Sequence, residues 1–325
     1  MQLDFSVTPT ELRRLRTGAL VVPDPVAVFR IAGPGALTCL QGLLTSDLAA
    51  PGEGSLVYGA LLTPKGMIVV DPWVLREGER FILLIAGHAR ETAAQLLARV
   101  LPPRLARVSD LSESWSAAWL LGASALERFA RSNGAALPGA SRVIRALVDG
   151  ESLLAGGPPS APFSGLALGP TAQLDGMLER FEQSGGQRGD EPALAAARVV
   201  AGWPTLGREI DERTLPQEVR FDELGAVSYV KGCYTGQETV ARVHFRGHVN
   251  RTLRGVLLEG AGPLAERTLS RDLKEVGSIK TVLFLPDRIL ALAIVRREVS
   301  EGEILLAGER PAKLVPLPFD PLLLG

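Results

Sequence analysis

Cysteine is scarce in this chain, which has 325 residues and only two cysteines. Two cysteines cannot form the disulfide framework of a small secreted protein, and the polar N-terminal segment lacks the apolar core of a signal peptide. The chain also lacks an uninterrupted apolar run of the roughly 20 residues that span a bilayer. One long apolar stretch, "LVYGALLTPKGMIVVDPWVL", is interrupted by Pro64, Lys65 and Asp71. We therefore expect a soluble protein of the reducing cytoplasm, with no membrane partner.

An excess of charge of either sign is missing too, since 35 Lys and Arg residues against 36 Asp and Glu residues give a formal net charge of −1. A neutral chain generates no field that would hold it on nucleic acid, so we do not expect direct nucleic-acid binding, and any anion site must be local. The P-loop, GxGxxG and Ser-His-Asp patterns are absent as well. The sequence therefore gives no basis for nucleotide binding or serine-hydrolase chemistry.

The composition that is present, 46% hydrophobic and 22% charged residues, is that of a globular protein. Strand-like and helix-like segments alternate over residues 1–110 and again over 111–246, which predicts two α/β subdomains of an α+β protein, with segments free to interleave. Short β-like runs over residues 247–325 predict a small barrel or sandwich. In the first unit we expect Pro34 at the first position of a helix, and an amphipathic helix from about His88 to Val100.

The segment "KGCYTGQE", residues 231–238, contains one of the two cysteines. Thr235 and Glu238 have the spacing of a capping box, so we expect a helix to begin near Gly236. Cys233 then lies just ahead of a helix N-terminus, where the helix dipole and the Lys231 ammonium both favour the thiolate. We therefore expect the pKa of this thiol to lie below the reference value of roughly 8.5.

The alternative for Cys233 is a small apolar residue packed in a glycine-rich turn. Gly232 and Gly236 are compatible with both interpretations, because glycines also let a backbone approach a ligand closely. Cys39 lies among apolar residues at helical spacing, and we expect it in the core. Only Cys233 is therefore a candidate for a reactive thiol.

A basic segment follows this motif. It contains four arginines and two histidines, namely Arg242, Arg246, Arg251, Arg254, His244 and His248. We interpret the segment either as a local anion site or as a solvated basic face. The two histidines have no third ligand at a recognised spacing, so no metal site is predicted.

Two aspartates are candidate site acids. Asp71 closes the strand-like run "GMIVVD" immediately before Pro72, and Asp47 follows a helix-like run. Each is either a functional carboxylate or an acid of an ordinary turn, and the sequence pattern alone does not decide between these roles.

Four stretches together resemble one known family. Residues 231–238 resemble the signature of the YgfZ proteins, a branch of the glycine-cleavage T-protein (GcvT, aminomethyltransferase) superfamily. "LQGLLTSDL" and "TPKGMI" are similar to N-terminal segments of that family, and residues 197–251 are similar to its central run. The resemblance implies a three-lobed cloverleaf, with two ferredoxin-like α/β subdomains and a C-terminal β-barrel around a central channel that holds tetrahydrofolate or a one-carbon derivative.

The resemblance also implies a function and a set of site residues. Proteins of this family support iron-sulfur cluster assembly or repair in client enzymes, including tRNA-modifying ones, so iron-sulfur client proteins and folate are the expected partners. Cys233 and Lys231 match the family's catalytic motif. The residues that the resemblance assigns to folate binding are Lys65, Asp71, Arg198, Trp203, Gly236, Gln237, Glu238, Arg242 and Arg246. Trp203 either stacks on the pterin or belongs to the core.

Departures from the T-protein pattern separate this function from its main alternative, a tetrahydrofolate-dependent aminomethyltransferase of the glycine cleavage system. T-proteins carry a glutamate in place of Val200, a tyrosine in place of Leu206, and a second aspartate in place of Val70. Because acid-base help to a folate amine needs a carboxyl group within reach, these losses argue against that chemistry, and whether the chain is an enzyme stays open. A third hypothesis is a binding module that docks tRNA or a protein on the basic segment.

Overall fold

The computed structural model describes residues 4–146 and 150–324. Seven α-helices lie in this part of the chain, and they are α1 (Pro9–Thr17), α2 (Ala36–Gln41), α3 (Arg90–Val100), α4 (Ala125–Ser132), α5 (Thr171–Gln183), α6 (Glu191–Ala201) and α7 (Gln237–Arg246). Short 3-10 helices span Gly87–Ala89, Pro216–Val219 and Pro321–Leu324. None of the helices in the described residues combines the length and the apolar character needed to cross a membrane.

The same residues contain twenty strands, which are β1 (Asp4–Ser6), β2 (Leu20–Asp24), β3 (Val26–Ala32), β4 (Ser55–Tyr58), β5 (Leu61–Leu62), β6 (Ile68–Val70), β7 (Trp73–Glu77), β8 (Arg80–Ala86), β9 (Arg107–Asp110), β10 (Trp115–Leu121), β11 (Val143–Arg145), β12 (Leu153–Gly156), β13 (Gly165–Pro170), β14 (Gln187–Arg188), β15 (Arg251–Glu259), β16 (Thr268–Arg271), β17 (Lys274–Phe284), β18 (Arg288–Arg296), β19 (Ile304–Ala307) and β20 (Arg310–Val315). They form three large sheets and one small hairpin. The predicted mixture of helices and strands is confirmed.

The first sheet is antiparallel and has the order β4-β7-β8-β3-β9. Helices α2 and α3 pack on one of its faces and enclose a core of their own. The helix predicted from His88 to Val100 is confirmed, with a 3-10 turn before its α-helical part. The prediction that Pro34 occupies a first helical position is wrong, because Gly35 bonds to the Leu105 carbonyl and delays the helix to Ala36.

The second sheet has the order β11-β12-β13-β10-β2-β14 and carries helices α4 and α5. Strand β2 comes from the N-terminal segment and pairs with β10, and the short β14 adds to its other edge in parallel. The sheet therefore combines strands from both of the predicted α/β units.

The third sheet closes into a six-stranded barrel through the pairings β17-β16-β19-β20-β15-β18 and β18 with β17. Closure removes the exposed edges that an open sheet of this size would present, and it decides between the barrel and the sandwich that the sequence left open. Strand β1 pairs in parallel with the end of β17. The first described strand thus joins the barrel, and the predicted bounds at 110/111 and 246/247 stay a prediction.

Helix α6 lies at the centre of the molecule. Its N-cap Asp190 accepts a hydrogen bond from the Ala193 amide at 3.1 Å, and it ends at Gly202, whose φ of 63° is the left-handed conformation that glycine adopts freely. The helix packs on β2 and β10 of the second sheet and on β1, β17 and β18 at the barrel. The segment that follows α6 is therefore held between the second sheet and the barrel.

Helix α7 begins one residue after Gly236, as predicted, but without the predicted capping box. The Thr235 hydroxyl points instead at the Gly42 carbonyl, which also accepts the Thr235 amide hydrogen at 3.0 Å. Gly236 has a φ of 82° and packs on the β5–β6 hairpin, where a Cβ atom would lie 2.7 Å from the Thr63 carbonyl oxygen. Gly236 thus serves close packing between two segments of the chain.

We predict that Gly236→Ala destabilises the fold by about 1 to 3 kcal/mol, because the new methyl group meets backbone and the left-handed conformation is strained. The matched control is Gly232→Ala in the same motif, since no atom of the described residues lies within 4 Å of its added Cβ. We expect the control to stay within about 0.5 kcal/mol of the original protein. Midpoints of chemical unfolding measure both, and equal midpoints for the two variants would contradict the packing role.

Candidate functional site

A cavity of about 300 Å³ opens between the first sheet, the second sheet and helix α6. Strands β7 and β8 supply one wall, β2 and β10 supply another, and α6 with the loop after it closes a third. This volume is at the lower end of the range for small-molecule sites. Three of the residues that the sequence assigned to folate binding line the cavity, and these are Asp71, Arg198 and Trp203.

Three acids line the cavity, namely Asp24, Asp71 and Glu191, and Asp71 is the one that the sequence assigned to folate binding. It follows directly after β6, and its carboxylate accepts a hydrogen bond from the Tyr58 hydroxyl at 2.8 Å. Burial raises the pKa of Asp71 to about 6, while the Tyr58 hydrogen bond and the Arg198 guanidinium favour the charged form and limit the rise. Among the described residues, Tyr58 is the one neighbour that donates a hydrogen bond to this side chain. Asp71 is therefore available to the donors of a ligand.

Aromatic rings form much of the cavity wall. Three of the four tryptophans of the chain line it, namely Trp73, Trp119 and Trp203, together with Phe163 and Tyr58. Trp203 stacks on Trp73 at 5.4 Å between ring centroids and 15° between planes, and it is 3% exposed. The Trp203 ring thus packs in the core and also borders the cavity, and its stacking on a pterin stays a prediction.

Two guanidinium groups border the same cavity. Arg198 extends from α6 and lies 3.4 Å from the Asp24 carboxylate, which also accepts a hydrogen bond from the Trp119 indole at 2.8 Å. Arg208, on the loop after α6, forms an ion pair with Glu191 at 3.1 Å. Burial lowers the pKa of Arg208, and the repulsion of Arg198 adds to this effect. The cavity thus holds cations as well as an acid.

The positions where T-proteins carry polar groups are apolar in this cavity region. Leu206 lines the cavity, Val70 is fully buried in the core of the first sheet, and Val200 packs partly buried against the central core. Asp71 therefore stands without a second carboxylate from the adjacent strand residue.

The motif of residues 231–238 lies elsewhere, and none of its residues lines the cavity. Cys233 is exposed, whereas Cys39 is partly buried against the core of the first sheet. The predicted reactivity of the Cys233 thiol stays a prediction.

The Lys231 ammonium makes its contacts with the N-terminal part of the chain. It donates to the backbone carbonyls of Gln41, Leu44 and Ser46 at 2.8, 2.6 and 3.0 Å. A lysine ammonium has three protons, and these three carbonyls account for all of them. In the structure Lys231 thus anchors the motif to the segment around residue 44. The predicted effect of its charge on the Cys233 thiol stays a prediction.

The remaining residues predicted for folate binding are outside the cavity lining. Lys65, Glu238, Arg242 and Arg246 are exposed, and the Gln237 side chain accepts a hydrogen bond from the Tyr234 amide at 3.4 Å. In the described residues, no three His, Cys, Asp or Glu side chains are grouped as metal ligands. The structure thus divides the predicted site into a cavity group and a surface group.

Sequence reasoning missed several groups of the cavity, including Asp24, Tyr58, Trp119 and Arg208. The tryptophans were a signal that could have found part of this wall. Only 5% of residues are aromatic, and each tryptophan side chain covers a large packed surface. The ion pairs could not be predicted from the sequence, because Asp24 and Arg198 are far apart in the chain and only the fold brings them together.

Comparisons with known proteins agree with this architecture. The family model of the GCVT N-terminal domain matches residues 4–136. A protein named aminomethyltransferase from Rubrobacter xylanophilus is 29% identical over 98% of this chain and 88% of its own length. A protein named tRNA-modifying protein YgfZ from Cronobacter sakazakii is 25% identical over 93% of each chain.

A solved structure shows the same fold. The glycine cleavage system aminomethyltransferase T from Bartonella henselae superposes with a TM-score of 0.79 at 19% identity, over 95% of this chain and 88% of that one. At this identity the likeness establishes the fold alone. The predicted resemblance is confirmed: the chain has the fold of the glycine-cleavage T-protein, its N-terminal part matches the GCVT N-terminal domain, and proteins named YgfZ are similar to it along most of its length.

Proposed function

We propose that this protein binds a reduced folate in the cavity and acts as a YgfZ-type factor in tRNA modification, by supporting iron-sulfur cluster assembly or repair in client enzymes through Cys233. The tRNA-modifying role is what the names of its YgfZ relatives describe. The unpaired thiol would stay reduced in the cytoplasm, where we place the protein.

The single observation that carries the folate proposal is the partly buried Asp71 carboxylate in an aromatic cavity. A pterin ring is flat and presents adjacent N–H donors on one edge of its pyrimidine ring. A carboxylate can accept two such donors side by side, and the aromatic wall offers the ring a low-polarity surface. The Tyr58 hydroxyl holds Asp71 in place, so these residues fit the group.

The exposed position of Cys233 supports the second half of the proposal. A thiol in a closed cavity serves a small substrate, whereas a thiol at the surface is accessible to a macromolecular client. Lys231 and Gly236 anchor the motif on both sides of Cys233, which fixes where the thiol is presented.

For folate binding we expect calorimetric titration with tetrahydrofolate to give saturable binding near neutral pH. Asp71→Asn should weaken it roughly 10- to 100-fold, because charge-assisted hydrogen bonds are lost. Affinity should also decline as the pH falls through about 6, where Asp71 takes up its proton. The control Asp175→Asn changes an exposed acid of α5 and should leave binding unchanged. The absence of saturable binding to the unmodified protein would overturn the folate assignment.

For the thiol we expect Cys233→Ser to abolish rescue of iron-sulfur enzyme activity in cells that lack their own YgfZ protein, because serine cannot exchange with sulfur or thiols. Tetrahydrofolate binding should survive in this variant. Cys39→Ser is the matched control and should rescue fully, since Cys39 is a packing residue. Full rescue by the Cys233→Ser protein would remove the thiol from the function.

The second candidate is an aminomethyltransferase, and it is favoured by the 29% identity to the Rubrobacter xylanophilus protein. Against it, Leu206 presents an alkyl group to the cavity and Val70 is buried, so the second carboxyl group is missing. We expect no methylene-tetrahydrofolate to form from tetrahydrofolate and a reduced, aminomethylated lipoyl carrier protein. Turnover that disappears in Asp71→Asn would instead establish the transferase.

A further inference from the structure

The loop after α6 holds Arg208 in a fixed position. The neighbouring Glu209 is 3% exposed, and its carboxylate accepts hydrogen bonds from the Thr205 amide at 3.0 Å and from the Thr281 hydroxyl of β17. The backbone amides of Arg208 and Glu209 both bond to the Thr205 carbonyl, at 3.0 and 3.1 Å. This turn is therefore bonded to the barrel on one side, and it presents Arg208 to the cavity on the other.

The Arg208 guanidinium is buried but incompletely bonded. Its side chain is 4% exposed, and its plane lies over the Phe5 ring at 4.7 Å. Its Nε is out of contact with solvent and has no hydrogen-bond partner among the residues that the structure describes. A buried donor without a partner costs about 1 to 3 kcal/mol, so such a group in a cavity wall is suited to a ligand acceptor.

The two ion pairs of the cavity differ in how readily they can open. Asp24, the partner of Arg198, is 20% exposed and is also bonded to the Trp119 indole. Glu191, the partner of Arg208, is 63% exposed and reaches the guanidinium from the first position of α6. An exposed carboxylate loses little when it turns back to water. Arg208 can therefore exchange its partner, whereas Arg198 is held.

We infer that Arg208 binds the carboxylate tail of the cavity ligand, and that Glu191 occupies this position when no ligand carboxylate is present. The inference rests on the proposed folate function and assigns the anionic end of that ligand to the loop after α6. The basic segment of α7, whose Arg242 and Arg246 lie outside the cavity lining, then has no part in holding the tail. A guanidinium suits this task because its planar fork matches a carboxylate.

The experiment compares two ligands by calorimetry on the full chain. Tetrahydrofolate carries the glutamate carboxylates, and 6-methyltetrahydropterin has the same ring system without them. Arg208→Met should weaken tetrahydrofolate binding roughly 10- to 100-fold and leave the pterin affinity unchanged, because only the charged contact is lost. Glu191→Gln should strengthen tetrahydrofolate binding several-fold, because it removes the competing charge. The matched control Arg104→Ala changes an exposed arginine outside the cavity lining, and it should change neither affinity.

The outcomes separate the two proposals. If the unmodified protein binds neither ligand, the folate function itself fails. If it binds both with equal affinity, or if Arg208→Met weakens both equally, the folate function stands and the tail assignment is overturned. A loss of tetrahydrofolate binding in Arg242→Ala would move the tail to α7. Should Arg208→Met fail to fold, Glu191→Gln still decides, because an unchanged tetrahydrofolate affinity in that variant contradicts the exchange of partners.

Discussion

The packing of helix α6 against two sheets is the constraint on which the candidate site depends. Three of its five buried residues are alanines, namely Ala195, Ala196 and Ala197, so the helix axis can approach both the second sheet and the barrel. The left-handed turn at Gly202 then sends the chain directly into Trp203 at the cavity. Because Arg198 precedes this turn and Arg208 follows it, one packed helix and its exit loop position both cations of the cavity. A larger side chain on the buried face of α6 would move all of these groups together.

The cavity stores an electrostatic cost that a ligand can relieve. Asp71 has a pKa of about 6 in the folded chain against 3.8 when free, so the folded state binds the proton more tightly. The stability contributed by this group is therefore full at low pH and is lost as the pH rises from about 4 to about 6. At neutral pH the protein keeps a partly desolvated carboxylate that would be more stable in water. Donors from a ligand would replace the hydrogen bonds to water that this carboxylate loses on folding. A carboxylate that lowers the stability of the folded protein can therefore still contribute to ligand binding.

The sequence predicted the elements of this fold better than the contacts between them. Periodicity located the helix before Val100 and the β-rich C-terminal run, and the resemblance placed Asp71, Arg198 and Trp203 in one site. The capping box failed because the Thr235 hydroxyl found the Gly42 carbonyl, an acceptor far away in sequence. The contacts of Lys231 were not predicted for the same reason, since its three carbonyl partners come from the segment around residue 44. Sequence patterns predict hydrogen bonds between residues that are close in the chain, whereas Thr235 and Lys231 bond to residues that are distant in the chain.

The thiol loop and the cavity are separate in the structure, but one short stretch of chain contacts both. Cys233 lies on a loop that is anchored at Gly236, and Gly236 packs on Gly66 in the β5–β6 hairpin. The second strand of that hairpin ends at Val70, and the next residue is Asp71 in the cavity wall. The short stretch of chain from residue 66 to residue 71 therefore begins at the packing contact with Gly236 and ends at Asp71 in the cavity wall. The strand between them packs in two cores, because Ile68 belongs to the central core and Val70 to the core of the first sheet. Glycine at position 236 thus permits the close packing of the thiol loop on the hairpin whose chain continues into the cavity wall.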